Sequence, residues 1–492
     1  MSEKSAYSDL ERGDDVQLPQ HHHGSPVSWF RLVYDQALVT PEVQNWRYAG
    51  SGTEEDPAYT GGLSEVIVQF QTSQLMATLG VSLFVLGFAV GPLMWAPMSE
   101  IFGRQVLFIG TYAGLTAFNA GAAGSQNITT LLLMRFFAGS FGSSPLTNAG
   151  GIIADMFDSD QRGLAMTFFA SAPSLGPVIG PIVGSFAGET IGWRWVEGIM
   201  AIFTGVLWIA GSLLIPETYA PVLLRKRART LEKANPGKIY KTRAEIASGP
   251  VQFASVFSTA LIRPWKLLFG EPIVLLLSIY MAIIYGTLYL LFAAFPIVYE
   301  QKRGWSPGIG SLAFLGVAVG MLFAMVYCLW DNKRYKLVAA ANNGNAPPEA
   351  RLPMCMVGAC ALPIGLFWFA WTNSPSIHWL ASISAGALFG FGMILFFLGV
   401  MNYLIDAYTI YAASALAANS VLRSLFGMAF PLFTSYMYAD LGIHWASCIP
   451  AFLALMCLPM PFLFYKFGPK IREKCKFAAE SAAFMQKMRE GR

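Results

Sequence analysis

Charge is what this chain has least of: Asp, Glu, Lys and Arg make up 13% of its 492 residues, where soluble domains carry about a quarter. No stretch of about 150 residues after residue 75 has enough charge to solvate a surface, which excludes an ordinary water-soluble enzyme. The six cysteines (Cys328, Cys355, Cys360, Cys448, Cys457, Cys475) include no CxxC and lie mostly in or beside apolar runs. They are expected to pack as small hydrophobes, not to form disulfides or bind metal. There is no His-box, no HExxH, no G-x-S-x-G and no Gly-rich phosphate loop followed by Lys, so no enzyme chemistry is expected. A net charge of +4, scattered along the chain, gives no nucleic-acid surface.

What is present is apolar: 55% of the residues are hydrophobic. A membrane span needs roughly 20 such residues. Eleven windows of that kind occur, at 75–98, 106–125, 129–157, 162–187, 194–215, 271–299, 308–330, 353–372, 377–404, 410–438 and 443–466. They are too long and too unalternating for barrel strands. The fold class is therefore all-α, a polytopic membrane protein. The predicted organisation is an acidic disordered tail (1–57), five spans (58–215), a basic linker with an amphipathic helix within 222–245 (216–270), six spans (271–466) and a basic tail (467–492).

Charge placement sets the expected topology. Residues 216–270 hold ten bases against three acids, and 466–492 eight against three, so both are expected to face the cytoplasm. Six spans separate them, which is self-consistent. Residues 1–65 hold eleven acids against four bases. With 99–105 inside, the single span 75–98 puts that tail outside, as if one helix were missing from the first half. His21, His22 and His23 sit in the tail without the spacing of a preformed metal site, and no metal is expected. Asn127-Ile128-Thr129 is a formal glycosylation sequon in a loop too short for use.

Several motifs carry charge or flexibility where a membrane protein rarely keeps them. Gly91 to Gln105 ends the first span with Glu100, Gly103 and Arg104 at a helix junction, where a carboxylate and a guanidinium can latch neighbouring helices. It resembles the loop between the second and third helices of the major facilitator superfamily, G-x-x-x-D-R-x-G-R-R, with Ile101 and Gln105 replacing two bases. Arg135 lies among apolar residues ahead of Gly139, a depth that either serves function or allows snorkelling to the outer interface. It resembles that superfamily's fourth-helix motif, R-x-x-x-G, whose Arg is associated with proton coupling. Asp155 resembles the acid that pairs with the loop Arg, here Arg104. Gly176-Pro177-Val178-Ile179-Gly180-Pro181 is similar to the fifth-helix antiporter motif, which implies a hinge.

The most specific resemblance is Pro216-Glu217-Thr218-Tyr219-Ala220-Pro221-Val222-Leu223-Leu224, similar to the PETYxPxLL hallmark of the fungal drug:proton antiporter family with twelve spans. Trp193-Arg194-Trp195, Pro348 to Pro353 and Tyr403 to Arg423 also match that family. The resemblance fails between Pro57 and Ala58, where an apolar first helix is expected and is absent. A chain lacking it is expected to expose the small-residue face Gly80, Gly87 and Gly91. The resemblance implies a two-bundle transporter, with 5 + 6 spans here, that exchanges a small organic molecule, cationic or amphipathic, for protons. Drugs, polyamines and secondary metabolites are its substrate classes. The proton gradient replaces any cofactor, membrane lipids are the other partner, and a monomer in the plasma membrane is expected, with the vacuolar membrane as the alternative. Glu100, Arg104, Arg135, Asp155, Asp406 and Arg423 are the candidate coupling and gating residues, Asp406 and Arg423 being taken as partners of each other. Tyr280, Tyr285, Tyr289 and Asn402 are candidate cavity residues. The rival reading is a non-transporting isoform or membrane sensor of the same fold.

Overall fold

A computed structural model of the chain describes residues 57–145, 148, 152–153, 159–235, 237, 239–242, 246, 253–342 and 346–490. The acidic tail, with its three histidines, lies outside the described residues. After a 3-10 turn, Pro57–Gly62, the helices run α1 (Leu63–Phe70), α2 (Gln74–Phe102), α3 (Arg104–Ala123), α4 (Ile128–Gly142), α5 (Ser159–Ile191) and α6 (Trp193–Leu214). The linker carries α7 (Ala220–Ala234) and α8 (Phe253–Gly270). The second half holds α9 (Pro272–Phe295), continued as a π-helical turn to Lys302, α10 (Pro307–Ser311), α11 (Phe314–Ala341), α12 (Leu352–Thr372), α13 (Trp379–Ala407), α14 (Ala412–Cys457) and α15 (Pro459–Lys474). The last element is α16 (Lys476–Glu490).

The described helices fall on the predicted windows. Eight helical runs are long and apolar enough to cross a bilayer, and two shorter apolar stretches, Ile128–Gly142 and Leu175–Ile191, lie in α4 and α5. The run Thr409–Lys474 is two spans joined at Gly442, whose φ of +73° breaks α14. That backbone region is open to Gly at little cost, so the chain reverses there between its last two spans. The halves meet where α2 packs on α14 and where α5 packs on α11. α7 starts two residues before the predicted 222–245 segment and ends well inside it.

Contacts sort the loops into two ends. At the linker end, Arg225 donates to the carbonyls of Glu100 and Ile101 (3.3 Å each), and Arg472 of α15 reaches Glu349. At the opposite end, Trp193 donates its backbone N–H to Glu65 and its indole N–H to Gln69, both at 2.7 Å. Asn127 also lies there, and its side chain accepts the backbone N–H of Thr130 at 2.8 Å, capping α4. The sequon is thus built into a helix start.

Residues 57–62 are packed in and not splayed out. Ala58 and Tyr59 are buried, and a Cβ on Gly184 of α5 would collide with the Ala58 backbone. The glycine face of α2 corrects the expectation drawn from the missing helix. Gly87 and Gly91 lie against Gly139, Ser140 and Ser143 at the α4 end, and only Gly80 meets the retained segment, at the Tyr59 ring. The small residues of α2 serve its close approach to α4.

Candidate functional site

Arg135 and Glu197 form an ion pair inside the first half, 2.5 Å apart and exposed by 1% and 0%. Arg135 lies seven residues into α4 and Glu197 four residues into α6, which places both roughly 6–10 Å from the same end of the bundle. Arg135 Nε also donates to the Gly80 carbonyl at 3.1 Å. Its guanidinium lies over the Tyr59 ring at 4.0 Å and the Phe84 ring at 5.2 Å. The Tyr59 hydroxyl is itself held by the Ala77 carbonyl at 3.1 Å. Arg135 therefore does not snorkel. A charge costing a few kcal/mol in hydrocarbon is kept because a carboxylate, a carbonyl and two ring faces compensate it. Glu197 escaped the sequence reading, although an acid at the depth of Arg135 on another span is a usable signal.

The second cluster lies at the linker end. Arg104 donates to Ser99 Oγ (2.8 Å) and Asn148 Oδ1 (3.3 Å) and stands over the Tyr219 ring at 5.0 Å. Asp155, its expected partner, lies outside the described residues. Glu100 is exposed at the end of α2. Glu217 explains the PETY segment physically. Its carboxylate accepts the backbone N–H groups of Arg104 (3.0 Å), Gln105 (3.3 Å), Thr218 (3.0 Å) and Tyr219 (2.9 Å). It caps α3, whose preceding residue Gly103 has no side chain to do so and sits at φ +100°. Glu217→Gln should keep the shape but weaken these charge-assisted bonds, lowering stability by about 1–3 kcal/mol. A lowered denaturation midpoint in detergent, with unchanged helix content, is the check.

The second half repeats the device. Asp406 accepts from Arg351 Nε at 3.0 Å and from the Tyr335 hydroxyl at 3.2 Å, and Arg351 stacks on the Tyr335 ring at 3.4 Å. The expected Asp406–Arg423 pairing is thus corrected: Asp406, at the end of α13, is bound to Arg351 of the linker-end loop between α11 and α12. Glu349, from the same loop, takes a two-pronged bond from Arg472 (2.8 and 2.9 Å). Each half therefore clamps its second-to-third helix junction with a side chain that follows or ends its last span.

Arg423 lies instead at mid-helix in α14, buried, over the rings of Tyr285 (4.4 Å) and Phe397 (5.3 Å). The Tyr285 and Tyr289 rings are 5.0 Å apart and their hydroxyl oxygens 3.4 Å. Tyr280 is not part of that wall, a further correction. It is fully buried against Phe396 (4.2 Å), with its hydroxyl directed to the Ala359 carbonyl. Asn402 donates to the Leu398 carbonyl of its own helix at 2.8 Å. Gly176, Pro177, Gly180 and Pro181 lie within the single helix α5, the two prolines buried and the two glycines half-buried. α5 faces α11, so the helix that carries these residues lies on the seam between the halves.

Known proteins match this arrangement. The family model "Major Facilitator Superfamily" covers residues 58–431. The "MFS-type efflux pump MFS2" of Trichophyton rubrum is 62% identical over 502 aligned positions, covering 94% of this chain and 84% of that protein. The "Major facilitator superfamily multidrug transporter mdrA" of Aspergillus fumigatus is 57% identical over 526 positions, covering 98% of this chain and 86% of that protein. Since 98% of 492 residues is about 482, roughly 44 positions of the Aspergillus protein have no counterpart within the alignment. Among solved structures, the xylose transporter XylE from E. coli in a partially occluded inward-open conformation matches with a TM-score of 0.61 at 17% identity. That match covers 86% of this chain and 96% of that one. Helix order, paired junction clamps and these matches agree that this integral membrane chain belongs to the major facilitator superfamily.

Proposed function

We propose that this protein exports a small amphipathic organic molecule in exchange for protons, by alternating access between its two helical halves. The Arg135–Glu197 pair carries this reading. A buried pair at one end of the bundle is stable only while both groups are charged, and losing one charge costs several kcal/mol. Protonating Glu197 removes the carboxylate charge that compensates Arg135, so the proton itself biases the packing of α4, α2 and α6. Relatives named as efflux pumps support the direction of transport.

The clamps at the linker end, Arg104 with Ser99, Glu217 at the start of α3 and Asp406 with Arg351, fit a gating role: they hold one packing of the helix junctions and separate as the halves rock. The α5 residues Gly176, Pro177, Gly180 and Pro181 lie where that rocking would be accommodated. The reading is tested in proteoliposomes loaded with a fluorescent amphipath under an imposed proton gradient, with the first helix present and absent. Efflux that collapses on adding a protonophore supports it, and efflux indifferent to the gradient overturns it. The junction at Pro57–Ala58 favours the second reading, a non-transporting form, if no flux occurs without the helix.

The positive-inside rule orients the linker end to the cytoplasm of the plasma membrane. α7 carries Arg225, Lys226, Arg227, Arg229 and Lys233 beside Leu223 and Leu224, a face suited to an anionic leaflet. Trypsin should cut between Arg225 and Lys241 in inside-out vesicles and spare that region in right-side-out ones. The reverse pattern would invert the topology.

A further inference from the structure

We infer that α8 is an in-plane membrane helix, whose Leu261, Ile262, Trp265 and Phe269 insert into the lipid leaflet at the linker end. This goes beyond the transport reading above and does not depend on it.

The course of α8 follows from what its two parts touch. Gly270 leads directly into Glu271, whose carboxylate accepts the Tyr408 hydroxyl (3.0 Å) and the backbone N–H of Phe477 (2.8 Å). Arg263 stands over the Tyr411 ring at 5.4 Å, and Tyr411 donates its hydroxyl to Glu480 at 2.8 Å. Tyr408 and Tyr411 belong to the one connection between α13 and α14, and Phe477 and Glu480 to α16. Arg263 and Glu271 are eight positions apart, a helical rise of about 12 Å, yet both stay at the linker end. A helix crossing the bilayer would have carried Arg263 that far from the α13–α14 connection. α8 instead runs along the surface, packed on α9, α14 and α2, and the Arg263 charge also acts on Glu100 at the end of α2. It thus lies across the seam between the halves.

Both faces of α8 are apolar. On one, Pro264, Leu267 and Leu268 are buried against the bundle. On the other, Leu261, Ile262, Trp265 and Phe269 recur at helical spacing and are all exposed, Phe269 by 73%. The Trp265 and Phe269 rings lie parallel on that stripe, 6.3 Å apart. A helix apolar all round needs a second apolar medium besides the protein it packs on. The bilayer supplies it, because α8 ends one residue before the span α9 begins. A Trp at that level suits the membrane interface. Lys266 is exposed at the rim of the stripe and can extend to the headgroups, and residues 251–270 contain no acid to oppose an anionic leaflet. α7, with its five bases, meets the headgroups by charge, whereas α8 enters by apolar area.

The test is photo-cross-linking of the full chain in its membrane, with p-benzoylphenylalanine in place of Phe269 or Trp265 and adducts identified by mass spectrometry. Phospholipid adducts are expected to outnumber protein adducts at least tenfold at both positions. The same group in place of Leu267, on the opposite face, should cross-link within this chain. Adducts at 265 and 269 that are mainly to residues 1–57, to a second copy or to another polypeptide overturn the inference, as does the absence of lipid adducts. Phe269→Asp should lower the lipid yield at position 265 at least threefold by lifting the stripe from the acyl chains, and an unchanged yield overturns insertion. Neither readout uses transport, so a failure of proton-driven efflux leaves this result standing.

Discussion

Arg135→Ala is expected to destabilise the first half by about 3–5 kcal/mol, because it leaves the Glu197 carboxylate buried at 0% exposure without its cation. It should also abolish proton-driven efflux. Glu197→Gln is the milder and more informative change. It keeps the shape of the side chain and a hydrogen-bond acceptor for Arg135, so folding should survive with a smaller loss. On the proposed reading it removes the group that takes the proton, so exchange of cargo across the membrane without a gradient should continue while the gradient no longer accelerates it. Counterflow and gradient-driven efflux, measured on the same proteoliposomes, separate the two. If Glu197→Gln efflux still follows the gradient, another acid carries the proton and the pair is structural. The double change Arg135→Gln with Glu197→Gln should recover most of the stability lost in Arg135→Ala, since no lone charge is left buried.

Spans were legible in the sequence because crossing hydrocarbon constrains composition alone: twenty apolar residues suffice whatever they pack against. Pairing between spans was not legible by the same means. Arg135 and Glu197 are 62 positions apart, and Arg351 and Asp406 are 55 apart. Helix count and depth leave several helices as possible neighbours for each. Asp406 was matched to Arg423 because both are charges near the same pair of spans, yet Asp406 ends α13 and Arg423 lies three turns into α14. Depth separates them by about 16 Å of helix rise. Glu217 was quoted only as part of a motif, since capping a helix start more than a hundred positions away has no local signature. The amphipathic α7 was legible because a basic, leucine-bearing stretch after Pro216 needs only its own periodicity to be recognised.

Restoring an apolar spanning helix between Pro57 and Ala58 is expected to raise proton-driven efflux at least tenfold over the 492-residue form at equal amounts of protein. Independent observations converge on this junction. Charge placement demands one more span before 99–105, and the match to the superfamily begins at Ala58. The alignment to the Aspergillus protein leaves about 44 of its positions unmatched over its whole length, enough for one spanning helix with its flanks. The structure shows what survives: Ala58, Tyr59, Gly61 and Gly62 pack on α5, α2 and α6, and Tyr59 supports Arg135 from one side. A helix leading into that turn would extend the same packing toward the linker end, along α5. The damage without it falls on α5 and on the surroundings of Arg135, not on the Gly87–Gly91 face, which α4 already covers. Interhelical hydrogen bonds left unmade cost on the order of 1 kcal/mol each, and several together approach the whole stability of a domain. The pair Arg135–Glu197 would then sit beside an opening that admits lipid or water, and water at that point lets protons pass without cargo. Two measurements therefore distinguish the forms: cargo efflux per protein, and proton leak in its absence. Equal efflux and equal leak would show that eleven spans suffice and that residues 57–62 alone close the first half.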